Sequence, residues 1–376
     1  MKLRRLGLTS VLAAAALVTA ACGNGGGTTA AESDTKLDQI VVATYGTGTA
    51  TYADMAAVMD GLAKEDGTKS RIITSDTAVG RHLPLREGQA QFARTGDDYI
   101  FAFRGEYDFE TEKWGPQPVR VVWAPVAPHS WLAKADSGIE TVADLEGKKV
   151  PRITANPSVN NKTVAMLATA GLTWDDVTPV DIGYSEQPDG LKNGKLDVLF
   201  QQVYGASLFE LESSTPVRWI DFDADDARTK EAIAEKTPSV YLDEFSGAPG
   251  QKGGETAVGF WYAVPVVTYG NTSETVAEQM ARGIVDSYDT YKDATSTTEQ
   301  WSLEYAQKAP TEVPFHDGLI KVLEEEGQWT DEAQAKQDEL LEQEEALAEG
   351  WEQVTSETSG DGLADAWRQW KSENLG

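Results

Sequence analysis

A chain of 376 residues with one cysteine, Cys22, has no internal cross-link to hold its fold. Stability has to come from packed secondary structure, and thiolate zinc sites and cysteine nucleophiles drop out together with disulfides. The position of the cysteine is as informative as its solitude. Lys2, Arg4 and Arg5 precede an almost wholly apolar run over residues 11–21, which closes on the small residues Thr19, Ala20 and Ala21 directly before Cys22. That order reads as a secretory leader, residues 1–21, with a lipoprotein-type cleavage site that makes Cys22 the lipidated N-terminus. The competing reading is an ordinary cleaved leader with an incidental cysteine. The run falls short of the roughly 20 residues a membrane-spanning helix needs. Residues 22–37 start with a glycine-rich stretch and read as a flexible tether. The expected location is extracytoplasmic, with the lipid as a membrane anchor.

Charge removes further classes. Asp and Glu outnumber Lys and Arg by 61 to 32, a formal charge of −29. Loss of residues 1–21 takes away Lys2, Arg4 and Arg5 and no acid, which leaves −32. Such a surface repels nucleic-acid phosphates and anionic headgroups, so nucleic acid is not an expected partner. His82, His129 and His316 are widely scattered, and no H-E-x-x-H, P-loop or G-x-S-x-G pattern occurs. No metal or cofactor is expected, and an enzyme is disfavoured, with only carboxylate chemistry left open.

The remaining chain alternates strand and helix patterns. A β-branched run at 39–44 leads through Gly46-Thr47-Gly48-Thr49 into helical spacing over 52–63. Strands are expected at 71–74, 89–93, 119–127, 149–154, 180–182 and 198–201, and over 257–264 where the chain crosses back through 257–267. Helices are expected at 78–86, 99–104, 141–145, 163–170 and 275–291. Residues 331–352, rich in Glu, Gln and Ala, predict a polar surface-lying helix, with a last helix around 363–370. Alternation of this kind implies an α/β fold, and two such units joined by strand crossings suggest two lobes around a cleft. The expected division is 38–127 plus 258–330 for lobe I, 128–257 for lobe II and 331–376 for an acidic helical extension.

Several segments resemble the TAXI family of TRAP transporter solute receptors. Ala43-Thr44-Tyr45-Gly46-Thr47-Gly48 is similar to the family's I-G-T-G opening, and Leu85-Arg86-Glu87-Gly88 to its L-R-x-G. Asp97 with Ala102-Phe103-Arg104-Gly105 is similar to D-x-x-x-x-A-Y-x-G. Residues 135–150, 170–177 and 191–200 resemble the family's second-lobe stretches, Gly247-Ala248-Pro249-Gly250-Gln251 its Y-P-G-Q turn, and Pro314-Phe315-His316-Asp317-Gly318 its P-x-H-P-G. The resemblance runs over about residues 38–330. It implies a bilobed periplasmic-binding-protein-like fold (type II), with two α/β domains and a hinge. It also implies delivery of a glutamate-like acid, dicarboxylate or other small organic acid or amino acid to a TRAP-type membrane permease. Departures at 49–53, 95–97 and 156–161 fall in cleft loops and loosen the link to a glutamate-like acid. An ABC importer or sensor system, or an enzyme on the same scaffold, are the alternatives.

Candidate ligand contacts follow from exposed amides, hydroxyls and charges at strand–helix junctions. They are Thr47, Gly48, Thr49, Thr51 and Tyr52 on the first loop, Arg81 as a carboxylate fork, and Asp97 and Asp98 as ammonium acceptors. Ser158, Asn160 and Asn161 face them from the other lobe, with Gln201, Gln202 and Tyr204 after a strand end. One of the two aspartates is expected to cap the helix that follows. At most one of Trp261 and Tyr262 lines the cleft, and His316 reads as structural.

Overall fold

The computed structural model describes residues 35–375. The leader, Cys22 and the first part of the tether lie outside the described residues.

The chain begins with β1 (Gln39–Thr44), α1 (Ala50–Glu65), β2 (Lys69–Thr74), α2 (Ala78–Arg86), β3 (Phe92–Arg94), α3 (Asp98–Arg104) and β4 (Val119–Trp123). The local logic is plain at the first junction. Gly48 takes φ +91°, and Thr49 caps α1 by accepting from the Tyr52 N–H at 3.2 Å. Pro84 is tolerated in the last turn of α2, where its carbonyl accepts from the Gln89 and Ala90 amides and closes the helix. Those two amides are therefore not free for a strand, which is why β3 starts at Phe92 and not at residue 89.

The middle of the chain supplies β5 (Val126–Lys134), β6 (Lys149–Ile153), α4 (Pro157–Thr169), β7 (Thr178–Ile182), α5 (Gln187–Lys192), β8 (Val198–Gln202), α6 (Ala206–Ser214), β9 (Val217–Trp219), α7 (Ala227–Lys236), β10 (Tyr241–Ser246) and β11 (Thr256–Ala263). The return leg holds β12 (Val266–Tyr269), α8 (Glu274–Asp286), α9 (Tyr288–Tyr291), α10 (Asp317–Glu325), α11 (Asp331–Glu357) and α12 (Leu363–Asn374).

Two sheets organise these elements. The first runs β2-β1-β3-β12-β4, with β12 antiparallel to its neighbours. The second runs β10-β11-β5-β8 with β9 beside β5, while β6 and β7 form a parallel pair next to it. The chain changes sheets twice, at Pro125 and at Pro265. The Val264 amide donates to the Pro125 carbonyl at 3.0 Å, so the two crossings are tied together. This is the two-lobed α/β architecture of type II binding proteins.

The expected strand at 119–127 is thus two strands in two sheets, broken at the crossing. Pro128 lies inside β5, where its carbonyl still accepts from the Val203 amide at 3.1 Å. The helix expected at 163–170 begins six residues earlier, because Asn156 caps it and Pro157 occupies its first turn. The helix expected at 275–291 breaks at buried Ser287, whose hydroxyl donates to the Gly283 carbonyl at 2.6 Å. The short helix at 141–145 is a single 3-10 turn.

The C-terminal helices differ most from expectation. Leu347, Val354, Leu363 and Trp367 belong to the core of the first lobe. Trp367 is fully buried between Trp351 and Trp370, and its indole N–H donates to the Gly105 carbonyl at 2.8 Å. A Cβ at Gly350 would lie 2.2 Å from the Trp370 ring, so only glycine lets α11 pass α12 this closely. The surface-lying reading counted leucines and overlooked the tryptophans that anchor the pair. Trp367→Ala is therefore expected to cost about 3–5 kcal/mol of stability. A urea unfolding curve checks this; a loss under about 1 kcal/mol would make the helices a mere surface attachment.

Candidate functional site

Carboxyl ends of parallel strands from both lobes meet across one cleft, where ligands of open α/β sheets bind. The first lobe contributes Tyr45 after β1, Asp76 after β2, residues 95–98 after β3, and Arg81 from α2. The second contributes Ser158 and Lys162 from α4, Tyr184 and Ser185 after β7, Gln201 and Gln202 from β8, and Tyr262 from β11.

Two cations define the centre. The Arg81 guanidinium is fully buried, pairs with Asp98, donates to the Ser75 carbonyl at 2.9 Å and stacks 3.9 Å over the Tyr45 ring. Lys162 is fully buried as well. Its ammonium reaches Asp97 at 2.5 Å, the Ser158 hydroxyl and carbonyl at 3.2 and 3.3 Å, and the face of Tyr262 at 3.9 Å. Burial pushes the Tyr45, Tyr184 and Tyr262 phenols above their ordinary range, so all three keep their protons as donors.

Polar contacts sew the lobes together around this centre. The Asp97 amide donates to Ser158 Oγ at 3.0 Å, and Ser239 Oγ donates to Asp97 at 3.4 Å. Asp76 takes both the amide and the hydroxyl of Ser185, at 2.9 and 2.6 Å. The Ser207 amide donates to the Gly48 carbonyl at 3.1 Å. At the base, Thr51 donates to Gln202 at 3.0 Å, and Gln202 in turn reaches Asp54 and Thr297. Asp54 is paired with buried Arg94 at 3.2 Å.

The fates of the sequence candidates now separate. Arg81, Asp97, Asp98 and Ser158 come together at the centre, Gln201 donates to the Tyr184 carbonyl in its own lobe, and Gly48, Thr51 and Gln202 lie on the lobe–lobe contact. Neither aspartate caps α3; each carboxylate holds a buried cation instead. Thr49 is occupied as the cap of α1, Thr47 is exposed, and Tyr52 is partly buried on the first turn. Asn160 faces away from the cleft, both ends of its amide clasping the backbone of Ile153 at 2.8 and 2.9 Å. Asn161 reaches Tyr107 at the mouth, and Tyr204 donates to the Ser246 carbonyl within its own lobe. Of the aromatic pair on β11, Tyr262 faces the centre, while Trp261 stacks on Tyr241 outside. His316 is structural: it caps α10 and contacts the Thr272 carbonyl.

Sequence reasoning missed Tyr45, Asp76, Lys162, Tyr184 and Ser185 as site residues. Lys162 carried a signal, a cation two turns into a helix that opens on a capped loop. Its partner Asp97 is 65 residues away, beyond any local pattern. Among the described residues, no cluster of three or more His, Cys, Asp or Glu is arranged to hold a metal, and no helix is long and apolar enough to cross a membrane.

Fold and site together define a bilobed binding-protein architecture with a polar, cation-centred cleft. The chain belongs to the NMT1-like family, whose sequence profile matches residues 42–327. No curated protein matches it. Among solved structures it is similar to a periplasmic binding protein of an ABC transporter from Brucella ovis with glutathione bound, at 9% identity and TM-score 0.43, over 67% of this chain and 70% of that one. It is also similar to the alkanesulfonate-binding protein SsuA from Xanthomonas axonopodis pv. citri bound to MOPS, at 16% identity and TM-score 0.42, over 76% and 90%. An ancestral arginine-binding protein bound to arginine aligns at 17% identity and TM-score 0.40, over 70% and 96%.

Two outcomes follow from the buried charges. Lys162→Met alone strands the Asp97 carboxylate and is expected to cost about 3–5 kcal/mol, whereas Lys162→Met with Asp97→Leu restores most of the loss. Chemical denaturation of both variants checks this. His82 is fully buried between Phe109 and Tyr269, and burial lowers its pKa to about 4 from the ordinary value near 6.5. Its contribution to stability is present above pH 6.5 and is lost as the pH falls towards 4. The melting temperature of His82→Phe is expected to fall less than that of the parent across this window.

Proposed function

We propose that the chain is the solute receptor of a membrane importer and closes its lobes over a small organic acid or amino acid. The carrying observation is Arg81. Its contacts to Ser75, Thr95 and Asp98 use three of five N–H bonds, leaving two donors at the buried centre of the cleft. With the protonated hydroxyls of Tyr45, Tyr184 and Tyr262, they suit the oxygens of a carboxylate. The Asp76, Asp97 and Asp98 carboxylates are each engaged by a facing hydroxyl or a buried cation, which supports a binding role. The proposal includes a cleaved leader at 1–21, lipidation of Cys22 and a tether to residue 37. It also includes two lobes divided at the sheet crossings, 38–125 with 265–330 and 126–264 in place of the expected 38–127 with 258–330 and 128–257, with 331–376 as an extension packed on the first.

The receptor reading accords with the ABC transporter proteins named above. A TRAP-type permease is the second reading, suggested by the ordered segments that resemble the TAXI family. Uptake into vesicles holding the receptor and its permease separates them, since one requires ATP and the other an ion gradient.

A thermal-shift panel of amino acids, dicarboxylates and sugar acids on the full chain tests the ligand class, because a bound ligand raises the melting temperature. Arg81→Lys keeps a cation for Asp98 but loses the planar fork, and is expected to weaken a hit at least tenfold. Unchanged affinity would remove Arg81 from the ligand's contacts.

A further inference from the structure

Among the described residues, two that are not glycine hold a positive φ, Tyr107 at +52° and Ala155 at +48°. L-residues with side chains rarely adopt this region, least of all bulky ones. The two lie on opposite lobes, and each makes a hydrogen bond to the other lobe. Tyr107, on the connection after α3, accepts through Oη from Asn161 Nδ2 at 2.8 Å, while its ring packs edge-on against Phe101. Ala155, between β6 and α4, accepts through its carbonyl from the Ala78 amide at 3.0 Å. That amide opens α2 and has no acceptor within its own helix. The next residue, Asn156, donates to the Asp76 carbonyl at 3.2 Å while capping α4.

Strained backbone persists where its surroundings over-determine it. Here the surroundings of each strained residue include the facing lobe. We propose that Tyr107 and Ala155 are paired latches that hold the lobes closed under strain, and that both relax when the lobes part. Tyr107 guards the mouth: together with Asn161 it lines a cavity of about 110 Å³ that reaches Asp97, so releasing this pair opens the way to the Lys162–Asp97 contact. Ala155 acts on the far side, where it fixes the start of α2 and hence Arg81. The latches rest on the two-lobed cleft but not on the identity of its ligand.

Hydrogen exchange read by mass spectrometry on the full chain, without added ligand, tests this. The amides of Ala78, Asp97, Ser185 and Ser207 donate across the cleft and report its opening. Tyr107→Phe and Asn161→Ala delete the outer bond and keep the strain; each is expected to speed exchange at these amides about fivefold. Ala155→Gly keeps the carbonyl and removes the strain, and is expected to slow their exchange about fivefold. Amides within β1 and β8 should not change in any variant. The proposal is overturned if Ala155→Gly leaves cleft exchange unchanged or faster, or if the outer-bond variants leave it unchanged. Ligand-induced stabilisation in the thermal-shift panel is independent of these outcomes, so either idea can fail alone.

Discussion

An ammonium group buried between two lobes sets terms that the rest of the structure has to meet. Removing Lys162 from water costs several kcal/mol unless charge and hydrogen bonds replace the solvent. The replacements come from separate parts of the chain: Asp97 at the start of α3, Ser158 one turn back on α4, and the ring of Tyr262 on β11. The rotation of α4, the entry of α3 and the face presented by β11 are fixed against one another by that single charge. Arg81 with Asp98 and Arg94 with Asp54 repeat the solution a short distance away, each cation matched by a carboxylate. Arg94 also holds the Thr51 carbonyl at 2.7 Å, which draws α1 towards the crossing between the sheets. A protein with a large acidic excess thus keeps a charge-balanced interior, and a solvated surface accommodates the excess.

Local signals were legible where one stretch of chain decides its own conformation. The β-branched run of β1, the glycine at Gly48 and the cap at Thr49 are contiguous, and α2 matches its expected span despite Pro84. Elements whose cause is distant were not. α10 is capped by a histidine, and α7 carries too few large apolar residues to announce a buried face. β10 lies at a sheet edge with its side chains largely exposed, so no alternation marks it. In the site, several residues offered as ligand contacts already have partners within the protein. Thr49 satisfies a helix end, Thr51 reaches the opposite lobe, and Asn160 holds the backbone of Ile153 in its own lobe. Asp97 and Asp98 read as ammonium acceptors with one of them expected as a cap, whereas both hold buried cations of the protein itself, Lys162 lying 65 residues from Asp97. The C-terminal pair shows the same limit, since three tryptophans spaced over two helices form no stripe until the helices fold back.

The character of the lobe contact bears on how such a cleft works. It is built mainly from hydrogen bonds and one ion pair, with the ring of Tyr45 packed against Tyr184 across the cleft. When it opens, water replaces each donor and acceptor, so the net cost per bond is small. Lys162 and Asp97 even recover hydration that closure had taken from them. Apart from Tyr45, which reaches from the first lobe into the core of the second, the two apolar cores lie behind the cleft. Among the described residues, Pro125 and Pro265 with their neighbours carry the chain between lobes, tied together by the bond from the Val264 amide to the Pro125 carbonyl. In the receptor reading proposed above, closed and open forms would differ by little free energy, so that the interactions of a small ligand with both lobes choose between them.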